Sequence, residues 1–370
     1  MLPFKYIVIT FGLIFLGTGI SHAQDNRFAE WKTDISKSLI NLDELQTGGP
    51  PKDGIPSIDN PVFIPADDAQ SWISDNEPVI VVEYNGKARA YPLQIMIWHE
   101  IVNDWIDDNP VLVTFCPLCY SALVFERNVD GEILEFGVSG FLRHSDLVMF
   151  DRKTETLWQQ FTGKAIVGDY VGTVLNQIPS QIISYLQFRD NYPDGEILSR
   201  ATGHDRNYGL NPYTGYDDIN NTPFFGAKND DERLQPMEKV IGVRLNEKTR
   251  AYSYSDTREK QVINDHLADI PLLILHTEGA TSALDKARIA QSKESGSTGV
   301  FRRTLDGEEL LFTVENGQIV DERTGSVWTI TGKAVEGILK GEELEGVTHG
   351  DYFAFAWLVF WPETEIYAAE

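Results

Sequence analysis

Apolar positions along the chain alternate in short stretches and are interrupted by turn residues. Val82 to Pro92 reads VEYNGKARAYP, two alternating runs around Asn85-Gly86, which predicts a hairpin. Leu93 to Trp105 carries apolar residues at helical spacing and predicts one amphipathic helix, with Asn103-Asp104 as a cap at its end. Pro110 to Phe125, PVLVTFCPLCYSALVF, predicts strand, tight turn, strand. A further hairpin is expected through Asp130-Gly131, followed by short strands ending in the Trp158 and Thr162-Gly163-Lys164 segments. Upstream, Phe28, Trp31, Ile35, Leu39 and Leu42 fall at helical spacing, so a short helix is expected within Gln24 to Gln46. Gly48 to Pro65 is rich in Gly, Pro and Asp and reads as an ordered loop, with a short helix over Asp67 to Trp72.

This pattern occurs twice. At a shift of 161, VRLNEKTRAYS (Val243 to Ser253) lies over the first hairpin, and VINDHLADIPLLI (Val262 to Ile274) over IVNDWIDDNPVLV (Ile101 to Val113). FRRTLDGEELLF (Phe301 to Phe312) follows FERNVDGEILEF, DERTGSVW (Asp321 to Trp328) follows DRKTETLW, and TGKAVEG (Thr331 to Gly337) follows TGKAIVG. Matches in one order with small changes of shift indicate a tandem duplication. The expected fold is α+β, mainly antiparallel β, with two tandem pseudo-symmetric repeats packed as one body. The divisions are 1–23, 24–76, a first repeat at 77–200, an aromatic-rich connecting loop at 201–237, and a second repeat at 238–370. The loop is long enough to be functional, and it is expected to drape over a surface, the thiol region being a candidate.

The repeats differ where chemistry is available. Cys116 and Cys119, the only two cysteines, map onto Thr277 and Ala280, and His99 maps onto Lys260. The second repeat carries about 15 extra residues within Ala280 to Gly299; the first carries about six within Gly137 to Phe150, a segment containing His144. The first repeat is therefore read as the active half and the second as a structural copy.

The N-terminus adds a location. Lys5, the uncharged apolar run Tyr6 to Ile20 and Ser21-His22-Ala23 have the form of a cleaved signal peptide. At about 15 residues the run is shorter than the roughly 20 that span a bilayer. The mature protein is expected to be periplasmic or extracellular and not integral to a membrane. Of 370 residues, 56 are Asp or Glu and 31 Lys or Arg, a net charge of -25, which argues against nucleic acid as a partner.

KDGIPSIDNPVF (Lys52 to Phe63), RAYPLQIMIWHEIVND (Arg89 to Asp104), TFCPLC (Thr114 to Cys119), VDGEILEFGVSG (Val129 to Gly140), SDLVMFDRKTETLWQQFTG (Ser145 to Gly163) and NPYTGY (Asn211 to Tyr216) together carry a family likeness. The chain resembles the exported prokaryotic proteins grouped as domain of unknown function family 3179. That resemblance implies no activity.

Two thiolates with imidazole suit copper or zinc. Cys116 and Cys119 are the candidate metal ligands, with His99 as the favoured third and His144 or His204 as the others. A thiol-disulfide redox protein is the alternative, disfavoured because Tyr120 to Phe125 reads as strand and not as the helix start that lowers a thiol pKa. A binding module with a structural Cys116–Cys119 disulfide is the second alternative; so small a loop would add little stability. His99-Glu100-Ile101-Val102-Asn103 has Asn where a zinc-protease helix needs its second histidine. No Gly-x-Ser-x-Gly elbow accompanies Ser139 or Ser145.

Overall fold

A computed structural model describes residues 26–226 and 231–368; the expected signal segment, 1–23, lies outside them. The described residues up to Lys32 belong to a leading unit and include the 3-10 turn Asn26–Phe28, with Phe28 and Trp31 packed edge to face. The rest, from Thr33 onward, is one compact unit.

The body is built mostly of antiparallel sheets with few helices. In its first half, Pro78–Tyr84 pairs with Lys87–Pro92 around Asn85-Gly86. Ile101–Ile106, Asn109–Cys116 and Ser121–Glu126 form a meander. Phe136–Arg143, Asp146–Asp151, Leu157–Gln159 and Lys164–Val167 form a third sheet. In the second half the same order recurs: Lys239–Leu245 with Lys248–Ser253, then Val262–Leu267, Ile270–Thr277 and Ser297–Arg302, then Phe312–Glu315 through Ala334–Glu336. Each half also adds one short parallel strand at matched places, Glu196 beside Arg89 and Glu365 beside Arg250. One buried cluster joins Leu123 and Phe125 to Tyr352, Phe353 and Trp357.

Two expected helices are corrected. The amphipathic helix within Gln24 to Gln46 is replaced, among the described residues, by the 3-10 turns Asn26–Phe28 and Leu42–Glu44. Asp34 accepts from the Ser36 amide and hydroxyl, and Asn41 caps Asp43; such short polar side chains bind their own backbone and compete with helix. The helix expected over Leu93 to Trp105 stops at His99. Glu100 takes a left-handed conformation (φ 59°), and Ile101–Ile106 continues as a strand. This strand is buried on both faces except at Trp105, so its apolar run shows no alternation to separate strand from helix.

Asn103 is accordingly not a helix cap. Its amide donates to the Phe136 carbonyl (2.8 Å) and Asp59 (2.7 Å) and accepts from the Phe136 N–H (2.9 Å). Asn264 binds Phe312 in the same two ways. Asp104 takes Tyr91 and Arg89, as Asp265 takes Tyr252 and Arg250. Trp158 donates to Asp151 as Trp328 does to Asp321, each at 3.1 Å. Asn103 is buried, so Asn103→Ala leaves both Phe136 backbone groups unpaired. We expect a loss of about 2–4 kcal/mol, read from urea denaturation, with little change in the slope of the transition.

Candidate metal centre

The thiol turn is held by backbone chemistry. Strand Asn109–Cys116 is buried from Val111 onward and meets Ser121–Glu126 through the pair Cys116–Ser121. Pro117 opens the turn with its φ fixed, and Tyr120 closes it in a left-handed conformation (φ 57°). Two distant segments clamp it. The Tyr216 hydroxyl donates to the Leu118 carbonyl (3.0 Å), and the Phe353 N–H donates to the Cys119 carbonyl (2.9 Å). Ser145 donates to the Phe224 carbonyl, and the Tyr216 and Phe224 rings lie 4.5 Å apart. Tyr216 of the connecting loop therefore packs on the cysteine turn, with Phe224 against its ring.

The third member comes from the hairpin Phe136–Arg143 and Asp146–Asp151, whose tip, His144-Ser145, has positive φ at both residues. Asp146 opens the second strand directly after this tip. The sulfurs of Cys116 and Cys119 and a carboxylate oxygen of Asp146 all lie within 4.8 Å of one another, and all three residues are buried. One oxygen of Asp146 accepts from the Gln159 amide (2.6 Å) and the Phe161 N–H (3.0 Å). The other, Oδ1, is buried and has no N–H or O–H donor, and the Cys116 and Cys119 thiols act on the carboxylate as weak donors. Both cysteines are free thiols; Cys116 donates weakly to the Ser145 carbonyl at 3.8 Å.

Glu100 adds a fourth acid. Its backbone carbonyl accepts from Phe115, beside Cys116, and the residue is buried. Burial, and then the neighbouring Asp146, raises the Glu100 carboxyl to about 8. Burial raises Asp146 to about 7 against the hydrogen bonds it accepts. Burial also raises Cys116, and raises Cys119 well above the ordinary thiol range with Cys116 as the next cause. Glu100 lies outside the 4.8 Å group but near enough to act on it, and without a cation the charged forms of these four buried acids are disfavoured. A divalent or soft monovalent cation removes that penalty. Tetrahedral zinc at bond lengths of about 2.0–2.3 Å separates its ligand atoms by roughly 3.3–3.8 Å, so contraction of about 1 Å would close this group on an ion.

The histidines lie among other partners. Nδ1 of His99 is 2.7 Å from the Pro56 carbonyl and Nε2 is 2.7 Å from the Tyr208 hydroxyl, so both ring nitrogens are engaged. Burial lowers His99 to about 4. His204 lies beside it, with ring centroids 5.3 Å apart and the planes tilted by 45°. His144 sits 3.8 Å from Glu44 and against the Phe360 ring, and burial followed by Arg143 lowers its pKa. The three-residue group therefore contains Asp146 where the sequence suggested histidine. Ser139 donates to the Val148 carbonyl, so neither it nor Ser145 is activated by a base.

Asp146 and Glu100 carried a sequence signal. At the shift of 161, Glu100 maps onto Gln261, which has the same left-handed backbone (φ 61°) and the same carbonyl contact, to His276. The acid is exchanged for its neutral isostere by the criterion that singled out the cysteines. Asp146 lies in the six-residue excess of the first half. The corresponding second-half hairpin, Phe312–Glu315 with Gln318–Asp321, turns at Asn316-Gly317 before reaching that depth.

These features define a mainly antiparallel β protein with few helices that carries a buried Cys-Cys-Asp group that could hold a metal ion. The chain belongs to the family described as Protein of unknown function (DUF3179), which matches residues 52–364. No curated protein and no solved structure matches it. No helix among the described residues is long and apolar enough to cross a membrane.

Proposed function

We propose that this is an exported, duplicated protein that binds one soft metal ion, copper or zinc, through Cys116, Cys119 and Asp146. The second repeat acts as structural support in this reading. The observation that carries the proposal is the Asp146 carboxylate, buried within 4.8 Å of two free thiols, its Oδ1 facing no N–H or O–H donor. Thiols are weak donors and lower the Asp146 pKa only in part, so a buried carboxylate oxygen placed beside them is costly unless something cationic occupies its lone pairs. Two sulfurs and one oxygen leave a tetrahedral ion one position for Glu100, water or an incoming ligand. Thiol-disulfide exchange is less well supported. A strand, Ser121–Glu126, follows Cys119, and burial favours the neutral thiols over the nucleophilic thiolates that exchange requires.

The test is elemental analysis of protein purified from the exported fraction beside Cys116→Ala and His99→Ala. We expect near one copper or zinc per chain, lost in Cys116→Ala and kept in His99→Ala. Metal-free protein that cannot be loaded with either ion would sink the proposal, and loss in both variants would return His99 to the ligand set.

A further inference from the structure

A second chemistry uses side chains of the other half of the molecule and abuts the thiol turn at Tyr120. Lys239 opens the strand Lys239–Leu245 and is only 9% exposed. Its ammonium donates to the Ser295 hydroxyl (2.9 Å) and stands 3.5 Å over the Tyr120 ring. Arg258, on the helix Tyr254–Lys260, donates to the Ser295 carbonyl at 3.0 Å. The two cations thus hold one serine from two sides. Both line a cavity of about 720 Å³ together with Ile219, Met237, Tyr254 and Ser295.

Among the described residues, neither cation has a carboxylate oxygen within 4.0 Å. That is unexpected in a chain with 56 acidic and 31 basic side chains. The nearby Lys293 does have a partner, Asp217, at 3.2 Å. Burial draws Lys239 down to about 8, and Lys293 and Arg258 add to the fall. The carboxylates of Asp217 and Asp351, each beyond ion-pair distance, only partly offset it, so the buried ammonium here still lacks a direct counter-charge. The cation over the Tyr120 ring gains some attraction but no charge neutralisation. An anion bound at Ser295 would meet Lys239 and Arg258 together.

The rest of the wall narrows the class of anion. Ile219, Met237 and the Tyr254 ring offer apolar surface, suited to a hydrocarbon body. Asp217, which is paired with Lys293, and Asp218, Glu238 and Glu294 also line the cavity and would repel a highly charged ligand. We propose that this cavity binds a small organic monocarboxylate, its carboxylate held by Lys239 and Arg258 and its hydrocarbon part laid against Met237 and Ile219.

Binding is testable with hexanoate and inorganic phosphate as probes on the full chain, by titration calorimetry and thermal melting. Wild type should bind hexanoate and melt at a higher temperature in its presence, with no response to phosphate. Lys239→Met and Arg258→Gln should each lose about tenfold or more in affinity, the size of a lost charge-assisted hydrogen bond. Lys239→Met removes an unpaired buried charge and should melt at or above the wild-type temperature without ligand, which separates lost binding from lost folding. Absence of hexanoate binding in wild type, unchanged affinity in Arg258→Gln, or an equal response to phosphate would each overturn the assignment.

Discussion

Asp146→Asn should lower metal affinity by on the order of 100-fold or more while raising the melting temperature of the metal-free protein at about pH 8. The two effects have one origin. Asparagine can keep the acceptor that serves Gln159 and Phe161, so the hairpin stays in place. It removes the negative charge that burial disfavours and that a cation requires. A residue acting only as scaffold would move stability down and leave ion binding nearly untouched. Competition with a chromophoric chelator gives the affinity, and calorimetry of the chelated protein gives the stability. Unchanged affinity in this variant would exclude Asp146 as a ligand.

The second expected result is a dependence on pH that changes sign with metal. In the metal-free fold, Asp146 and Glu100 hold their protons up to about 7 and about 8. In the unfolded chain they release them near the ordinary carboxylate values of about 4. The folded state therefore binds more protons than the unfolded state between these limits, and stability falls as pH rises through them. That contribution is fully present below the unfolded values and lost above the folded ones. With metal the ligands are bound deprotonated, so protons compete with the ion and its stabilisation grows with pH. The gap between the melting temperatures of loaded and chelated protein should widen steadily from about pH 5 to about pH 8. A gap independent of pH would mean that the ion, if bound, does not displace these protons.

Much of the architecture could be read from the residue pattern because hairpins announce themselves locally. Asn85-Gly86, Asp130-Gly131 and Asp306-Gly307 all sit at turns between paired strands. The break at Glu100 could not be read, because both faces of Ile101–Ile106 are buried and the strand loses its period of two. The site was half legible. The thiols stood out by their absence from the matching second-half segment, and the six-residue excess pointed to the hairpin that brings Asp146 beside them. Within that hairpin His144 looked the better ligand by residue type. Its side chain instead turns toward Glu44 and Phe360, while Asp146, two residues on, enters the interior. Which side of a hairpin tip faces inward depends on backbone conformation at His144 and Ser145, both at positive φ, and periodicity does not encode that.

The clamp on the thiol turn has a consequence for how the molecule is made. Cys116 and Cys119 emerge early in synthesis, and the first half can begin to fold as it appears. Yet the Cys119 carbonyl waits for the Phe353 amide and the Leu118 carbonyl for Tyr216, both of which arrive later. An ion captured by the nascent first half would meet an open, wet pair of thiols, and the enclosing walls would be added afterwards. Retention of the ion would then report that the chain had been finished, so a chain stopped before Phe353 should take up metal reversibly and lose it to mild chelators.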